Sequence, residues 1–425
     1  MTATGLGARY WKLWTSAGLS NLADGVMKVA LPLVAIRYTD SPVLIAGLSF
    51  AFTLPWLLFA LTAGALADRI DRRRLMLVAN AARALFLACL TAVTVLGGGS
   101  LWLLYAAALC IGIAETVYDT SSQSILPQLV PRDRLSRANG RLYAAELTAN
   151  QFVGPPLGGF LVAAGVVFAF ATPAVLWIAA IGVLLLVRGR FTTERTAPTT
   201  IRADIAEGLR FLGRSMLLRT LAIMVGTFNF ASSAVFTVFV LYAAGPASTM
   251  QLSDPAYGLL LTFSAIGSVL GTFLAEPAER LLGRSRALTL TIVGSLLTVA
   301  TPGFTANPFI IGAGLLVGGV TVSIWNVITV SLRQRITPTR LLGRLNSAYR
   351  LLAWGTMPLG AVVGGLLGQA FGLQWVFLIM GAIVVLQLIP MLWVTDRRMD
   401  DAEAAVEAEV AEEAAERASA DAPER

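Results

Sequence analysis

Gly64-Ala65-Leu66-Ala67-Asp68-Arg69-Ile70-Asp71-Arg72-Arg73-Arg74-Leu75-Met76 decides the fold. Four arginines and two aspartates stand between two long apolar runs. Each run is long enough to cross a bilayer as a helix, so a charged turn this dense lies at a membrane surface.

Composition outside the stretch agrees. The chain has 425 residues, 56% hydrophobic and only 13% charged, with a mean hydropathy of +0.73. A soluble domain is about 45–50% apolar and about 25% charged. The excess comes in repeated apolar runs of about 20 residues, the length that spans about 30 Å of hydrocarbon. A membrane β-barrel shows short alternating segments instead. The net charge of +7 lies in short loops, where arginine fixes topology, and does not point to nucleic acid. Histidine is absent, so proton handling falls to carboxylates. Cys89 and Cys110 lie in apolar runs without metal-ligand spacing and read as core thiols; no metal site is expected. The first residues lack a cleavable signal. No Walker loop, nucleophile elbow or metal cluster supports an enzyme reading.

Twelve spans are predicted. They cover roughly 12–37, 43–67, 75–96, 101–122, 142–166, 168–188, 217–243, 256–275, 286–305, 309–332, 346–370 and 374–395. Of the 32 Lys and Arg, 28 then fall on one side, and Arg37 alone sits at an opposite loop. Lys28, Arg83 and Arg350 lie inside spans. The positive-inside rule makes the rich side cytoplasmic, with both termini there.

A polar connection over 189–216 divides the chain. Within it Ile201, Ile205, Leu209 and Leu212 share one face of a short amphipathic helix. Residues 1–188 and 217–395 form the two halves, and 396–425 form an acidic tail, read as a solvated helix or disordered segment. A shift of 207 residues carries Pro131, Leu135, Arg137 and Asn139 onto Pro338, Leu342, Arg344 and Asn346. The same shift carries Gly64 onto Gly271 and Gly158 onto Gly365. The expected architecture is an all-α polytopic bundle of twelve transmembrane helices in two pseudo-symmetric six-helix halves.

These features resemble the major facilitator superfamily. Gly64, Leu66, Asp68, Arg69, Arg72 and Arg73 match its loop signature between spans two and three, roughly G-x-L-a-D-r-x-G-r-r. Asp71 stands where that signature has glycine. The resemblance implies a cytoplasmic latch from Gly64, Asp68, Arg72 and Arg73, joined by Asp119 from span four. Gly154-Pro155-Pro156-Leu157-Gly158-Gly159 resembles the end of the G-P-x-x-G-G motif of proton-exchanging exporters, although Asn150 stands where glycine is expected upstream. An ordinary small-residue packing helix is the alternative. The span-four arginine of many proton-driven exporters is missing: position 108 is alanine, four residues before Gly112. Asn21-Leu22-Ala23-Asp24-Gly25, Ser124-Ile125-Leu126-Pro127 and Arg137-Ala138-Asn139-Gly140 resemble the branch of macrolide and enterobactin exporters.

An ionisable residue inside a span is a functional candidate by default. Asn21, Asp24 and Lys28 share one face of span one, with Asp24 about 18 Å deep. Asp24 is a candidate proton carrier with Lys28 as its ion-pair partner; a permanent pair is the alternative. Glu115 is a second proton candidate, one turn deeper than Asp119. Glu146, Arg350 and Arg83 form a candidate inner gate, unless the arginines snorkel to the surface. The second half offers neutral groups, Asn229, Ser232, Ser233, Trp325, Asn326 and Gln387. The expected substrate cavity therefore combines Asn21, Asp24 and Glu115 with Asn229, Trp325 and Asn326, suited to an amphiphilic and even cationic molecule.

The expected function is proton-coupled efflux of amphiphilic small molecules by a monomer in the cell membrane, with no cofactor beyond the proton gradient. A siderophore exporter, a proton-coupled importer and a lipid transporter remain open.

Overall fold

The computed structural model describes residues 6–131, 134–189, 191, 201–337, 339–406 and 408. Side chains at 60, 61, 64, 65, 67, 68, 136, 201–205, 339, 340, 342, 343 and 347 are outside that description. The first half runs α1 (Ala8–Ala35), α2 (Pro42–Arg69), α3 (Arg72–Val95), α4 (Leu101–Ile125), α5 (Leu135–Leu147), α6 (Gly154–Ala164) and α7 (Val166–Leu185). A π-helical segment, Thr148–Val153, joins α5 to α6 as one span. α8 (Ile201–Arg214) is the connecting helix. The second half runs α9 (Met216–Ala243), α10 (Asp254–Leu282), α11 (Arg284–Ala300), α12 (Pro308–Arg335), α13 (Thr339–Phe371), α14 (Leu373–Leu386) and α15 (Leu388–Met391). Among the described residues, nine helices are long and apolar enough to cross a membrane. α1, the α5–α6 span and α11 complete the twelve.

Local chemistry sets the helix starts. Ser41, Ser100, Ser215, Ser253 and Asn307 cap α2, α4, α9, α10 and α12, and proline follows early in α2, α10 and α12. Asp71 caps α3: one carboxylate oxygen accepts from Arg74 N at 3.1 Å and the other from Phe191 N at 2.7 Å. Its φ is −57°, so the position does not require the glycine of the family signature. Gly283 and Gly372, at φ 79° and 90°, make the one-residue turns into α11 and α14, where a side chain would be strained.

The packing repeats. In the first half α1 packs on α6 and α7, α2 on α4, and α3 on α4 and α7. In the second half α9 packs on α13 and α14, α10 on α12, and α11 on α12 and α14. The halves meet at two equivalent seams, α2 on α13 and α6 on α10. Glycine makes both seams tight. A Cβ on Gly159 would sit 2.3 Å from Asp254 O, one on Gly258 2.4 Å from Pro155 O, and one on Gly365 2.3 Å from Ala46 Cβ. Arg37 pairs with Asp254 at 2.9 Å, and Ser41 donates to Gln369 at 3.0 Å, at the arginine-poor end of these seams.

Three sequence expectations need adjustment. Cys89 is exposed and Cys110 half-buried, so they face the bilayer more than a core. On α8 Leu212 is buried but Leu209 is 37% exposed, because Gly208, not Leu209, meets the backbone of Arg344 on α13. The tail is not wholly free. Residues 396–406 continue as helix, and Arg284 binds both Asp400 and Glu403. Arg132, Asp133 and Pro338 of the repeated loops, and the tail after 408, are outside the described residues.

Candidate functional site

The first-half site forms where α1 meets α3, α4 and the π segment. Asn21, Asp24 and Lys28 share a face, as their spacing dictates. Asp24 is not paired with Lys28, however. Its partner is Arg83 of α3, whose Nη1 donates to Asp24 Oδ1 at 2.5 Å; the side chains are 0% and 2% exposed. The Arg83 guanidinium lies between Tyr118 and Trp177, 5.0 and 5.1 Å from their ring centres. A guanidinium is planar and more weakly hydrated than an ammonium, so it takes the dry, aromatic-lined position. Arg83, a candidate for the inner gate, is thus held in this buried pair.

Lys28 remains 43% exposed and reaches the central cleft. Its Nζ donates to Asn150 Oδ1 at 2.9 Å and lies 4.0 Å from Glu115 Oε1. Asn150 belongs to the π segment, an i→i+5 geometry that recurs at functional sites. Gly25 allows this approach, since a Cβ there would lie 2.5 Å from Asn150 O. Gly154 and Gly158 of the antiporter-like motif serve the same crossing: their Cβ atoms would meet Gly25 Cα at 2.6 Å and Val26 O at 2.8 Å. Pro155 is buried beside them. Asn21 bonds to Ala17 O and accepts from Asn150, so it is 7% exposed and held within the network.

The latch contacts are to helix ends. Arg72 donates to Ser124 O at 2.9 Å, and Arg73 donates to Leu184 O and Leu185 O at 3.0 and 2.8 Å. Both arginines thus satisfy carbonyls left open at helix C-termini. Among the described residues Asp119 forms no ion pair with Arg73. The side chain of Asp68 and the surroundings of Gly64 are outside the described residues. Nor is Arg350 paired with Glu146. Its guanidinium sits 4.6 Å from the Trp354 ring and 6.0 Å from the Trp56 ring of α2, an aromatic contact across the halves.

Two cavities meet at Asn229, which lines both. The central one, about 280 Å³, has Lys28 on one wall, apolar groups including Leu31, Phe52, Phe236 and Leu261, and the hydroxyls of Ser232 and Ser233. The second, about 290 Å³, lies within the second half and is lined by Trp325, Asn326, Arg333, Tyr349, Arg350 and Gln387, among others. Asn229 lines both cavities, whereas Trp325 and Asn326 line only the second-half one. Asp24 and Glu115 do not line these two cavities; they are buried behind Lys28. Sequence reasoning missed Arg83 as the Asp24 partner and Asn150 as the Lys28 acceptor. An arginine in the middle of span three was the available signal, because such a charge needs a carboxylate within reach.

The chain is similar to known proteins along most of its length. A family model described as transmembrane secretion effector matches residues 8–421. The multidrug efflux pump Tap of Mycolicibacterium fortuitum is 29% identical over 383 residues, covering 85% of this chain and 89% of the relative. The enterobactin exporter EntS of Salmonella typhi is 27% identical over 361 residues, covering 82% and 83%. Among solved structures, the nucleoside transporter NupG superposes with a TM-score of 0.71 at 13% identity, covering 91% of this chain and 98% of that one. A bacterial homologue of the iron transporter ferroportin, in an inward-facing state, gives 0.68 at 18% identity, covering 90% and 98%. At such identities the structures speak for the fold alone.

Proposed function

The chain belongs to the transmembrane secretion effector family of the major facilitator superfamily, and from that premise we propose that it exports amphiphilic small molecules against proton entry by alternating access. It is a multi-pass membrane transporter, not an enzyme. In the proposed orientation the arginine-rich end and both termini are cytoplasmic.

One observation carries the reading: the exposed ammonium of Lys28 on the cavity wall stands before a buried carboxylate, Glu115, and the buried Asp24–Arg83 pair. With Glu115 ionised, Lys28 is held against the wall by Glu115 and Asn150. Protonation of Glu115 removes the counter-charge. The Lys28 ammonium then turns to the cavity and draws water to it, which weakens the hold on a substrate's apolar body. Proton loss to the cytoplasm restores the wall. Asp24 is the second proton candidate, acting through Arg83. The seams at Gly159 and Gly365 close the outer end, so the substrate enters from the arginine-rich side. Rocking of the halves exposes the same cavities outward.

The test is uptake into inverted vesicles, with and without a pH gradient, of a cationic dye, a macrolide, tetracycline and a catecholate siderophore. Gradient-dependent accumulation of any of them supports proton-driven export. Accumulation only in right-side-out vesicles overturns it in favour of import.

A further inference from the structure

Three buried hydrogen-bond donors gather around the second-half cavity. Trp325 Nε1, Arg333 Nε and Gln387 Nε2 are buried and have no hydrogen-bond partner, and all three residues line this one cavity. Gln387 is 6% exposed. An indole N–H and a guanidinium N–H can only donate, and so can the amide nitrogen of glutamine. Buried polar groups are normally satisfied, so three open donors around one space point to an acceptor that belongs there.

Charge points the same way. Arg333 and Arg350 both face the cavity, and among the described residues no Asp or Glu lines it. Their guanidinium carbons lie 4.1 Å from the Tyr349 ring centre and 4.6 Å from that of Trp354. A guanidinium stacked on a ring binds carboxylates through its in-plane N–H groups, and Arg333 Nε is one without a partner. A cationic ligand would meet two like charges here. An aromatic anion meets complementary charge and the aromatic side chains of Trp325 and Trp354 in the lining.

We propose that this cavity is the head-group subsite of the transporter and takes the carboxylate of an aromatic acid. The inference rests on the exporter reading and narrows its substrate class. The carboxylate accepts from Trp325 Nε1, Gln387 Nε2 and the guanidinium of Arg333. The apolar body runs past Asn229, which lines both cavities, into the central cavity between Leu31, Phe52 and Phe236. The head is thereby kept apart from Lys28 and Glu115, so substrate charge and proton binding act on different walls.

The experiment uses the full chain in lipid nanodiscs and isothermal titration with a matched pair, 2-naphthoate and 2-naphthyltrimethylammonium. Naphthoate should bind at least about tenfold tighter than its cationic twin. Trp325→Phe keeps the ring and removes the N–H, and Gln387→Leu removes the amide. Each should weaken naphthoate by about tenfold, the loss expected for one hydrogen bond to a charged group, and leave the ammonium probe unchanged. Equal or tighter binding of the ammonium, binding of neither probe, or full naphthoate affinity in both variants overturns the proposal. Should a variant not fold, the comparison on the unaltered chain decides alone. Gradient-driven accumulation without naphthoate preference overturns the subsite only. Naphthoate preference without gradient-driven accumulation overturns the exporter reading only.

Discussion

Asp24 and Arg83 are 59 residues apart in sequence and form a 2.5 Å ion pair that is almost completely dry. Losing one partner of such a pair leaves an uncompensated charge and costs about 3–5 kcal/mol, more than the pair itself contributes. Asp24→Asn and Arg83→Met should therefore each lower the thermal midpoint in detergent and abolish gradient-driven transport. The double variant should regain most of the stability, because no charge is left unpaired, yet remain inactive. Thermal unfolding monitored by size-exclusion recovery checks the first part, and vesicle uptake the second. An active double variant would remove Asp24 from the coupling scheme.

Glu115→Gln keeps the shape of the side chain and removes its charge. The proposed cycle then stays in the state that mimics protonation, with Lys28 held only by Asn150. Active accumulation should fall by at least about tenfold, while exchange of substrate across the membrane without a gradient persists. Lys28→Met should instead leave the acid without its cation. Accumulation in Glu115→Gln at the level of the unaltered chain would show that the proton is carried elsewhere. Counterflow measured beside gradient-driven uptake separates the cases.

Much of this architecture was written in local sequence. Hydropathy gave the spans, the arginine bias gave their alternation, and the 207-residue shift gave the paired halves that the packing repeats. The site was legible only residue by residue. Asp24, Glu115 and Lys28 stood out because charges are rare in spans. Their pairing did not, because helical spacing reports neighbours on one helix, whereas the partner of Asp24 comes from α3. The π segment was also hidden: nothing in Thr148–Val153 distinguishes an i→i+5 turn from an ordinary one. Asn150 read as a motif mismatch, and its role as the acceptor for Lys28 emerged only with the helix crossing at Gly25.

The seam at the arginine-poor end offers a comparison of two kinds of contact. Arg37–Asp254 joins the halves, but its side chains are 42% and 20% exposed, and partly solvated pairs of this kind contribute only about 0–1 kcal/mol. Gly159 lets α6 touch α10 with no space for a methyl group. Overpacking at such a point costs about 1–3 kcal/mol. Gly159→Ala should thus shift the resting state towards an open outer end far more than Arg37→Ala does. Labelling of a cysteine introduced at Leu261, in the central cavity, by a membrane-impermeant maleimide added from outside reads this directly. Equal labelling in the two variants would mean that charge, not close helix contact, closes the seam.

Beyond the last span the chain turns back onto its own arginines. Arg284, at the start of α11, binds Asp400 and Glu403, and Arg335, at the end of α12, lies 3.7 Å from Glu403. The Asp396 carboxylate accepts from Ser285 N at 2.9 Å. Glu403 is the centre of this contact, with a side chain only 19% exposed, whereas Asp400 is 64% exposed. Glu403→Gln should therefore loosen the helix over 396–406 more than Asp400→Asn. The readout is the rate of tryptic cleavage after Arg397 and Arg398, expected to rise severalfold in Glu403→Gln at low salt. In the unaltered chain the same rate should rise with added salt, since partly exposed pairs are screened over about 10 Å at 0.1 M. Cleavage insensitive to both changes would mean that the apolar contact of Met399, which is 0% exposed, holds the segment without help from the charges.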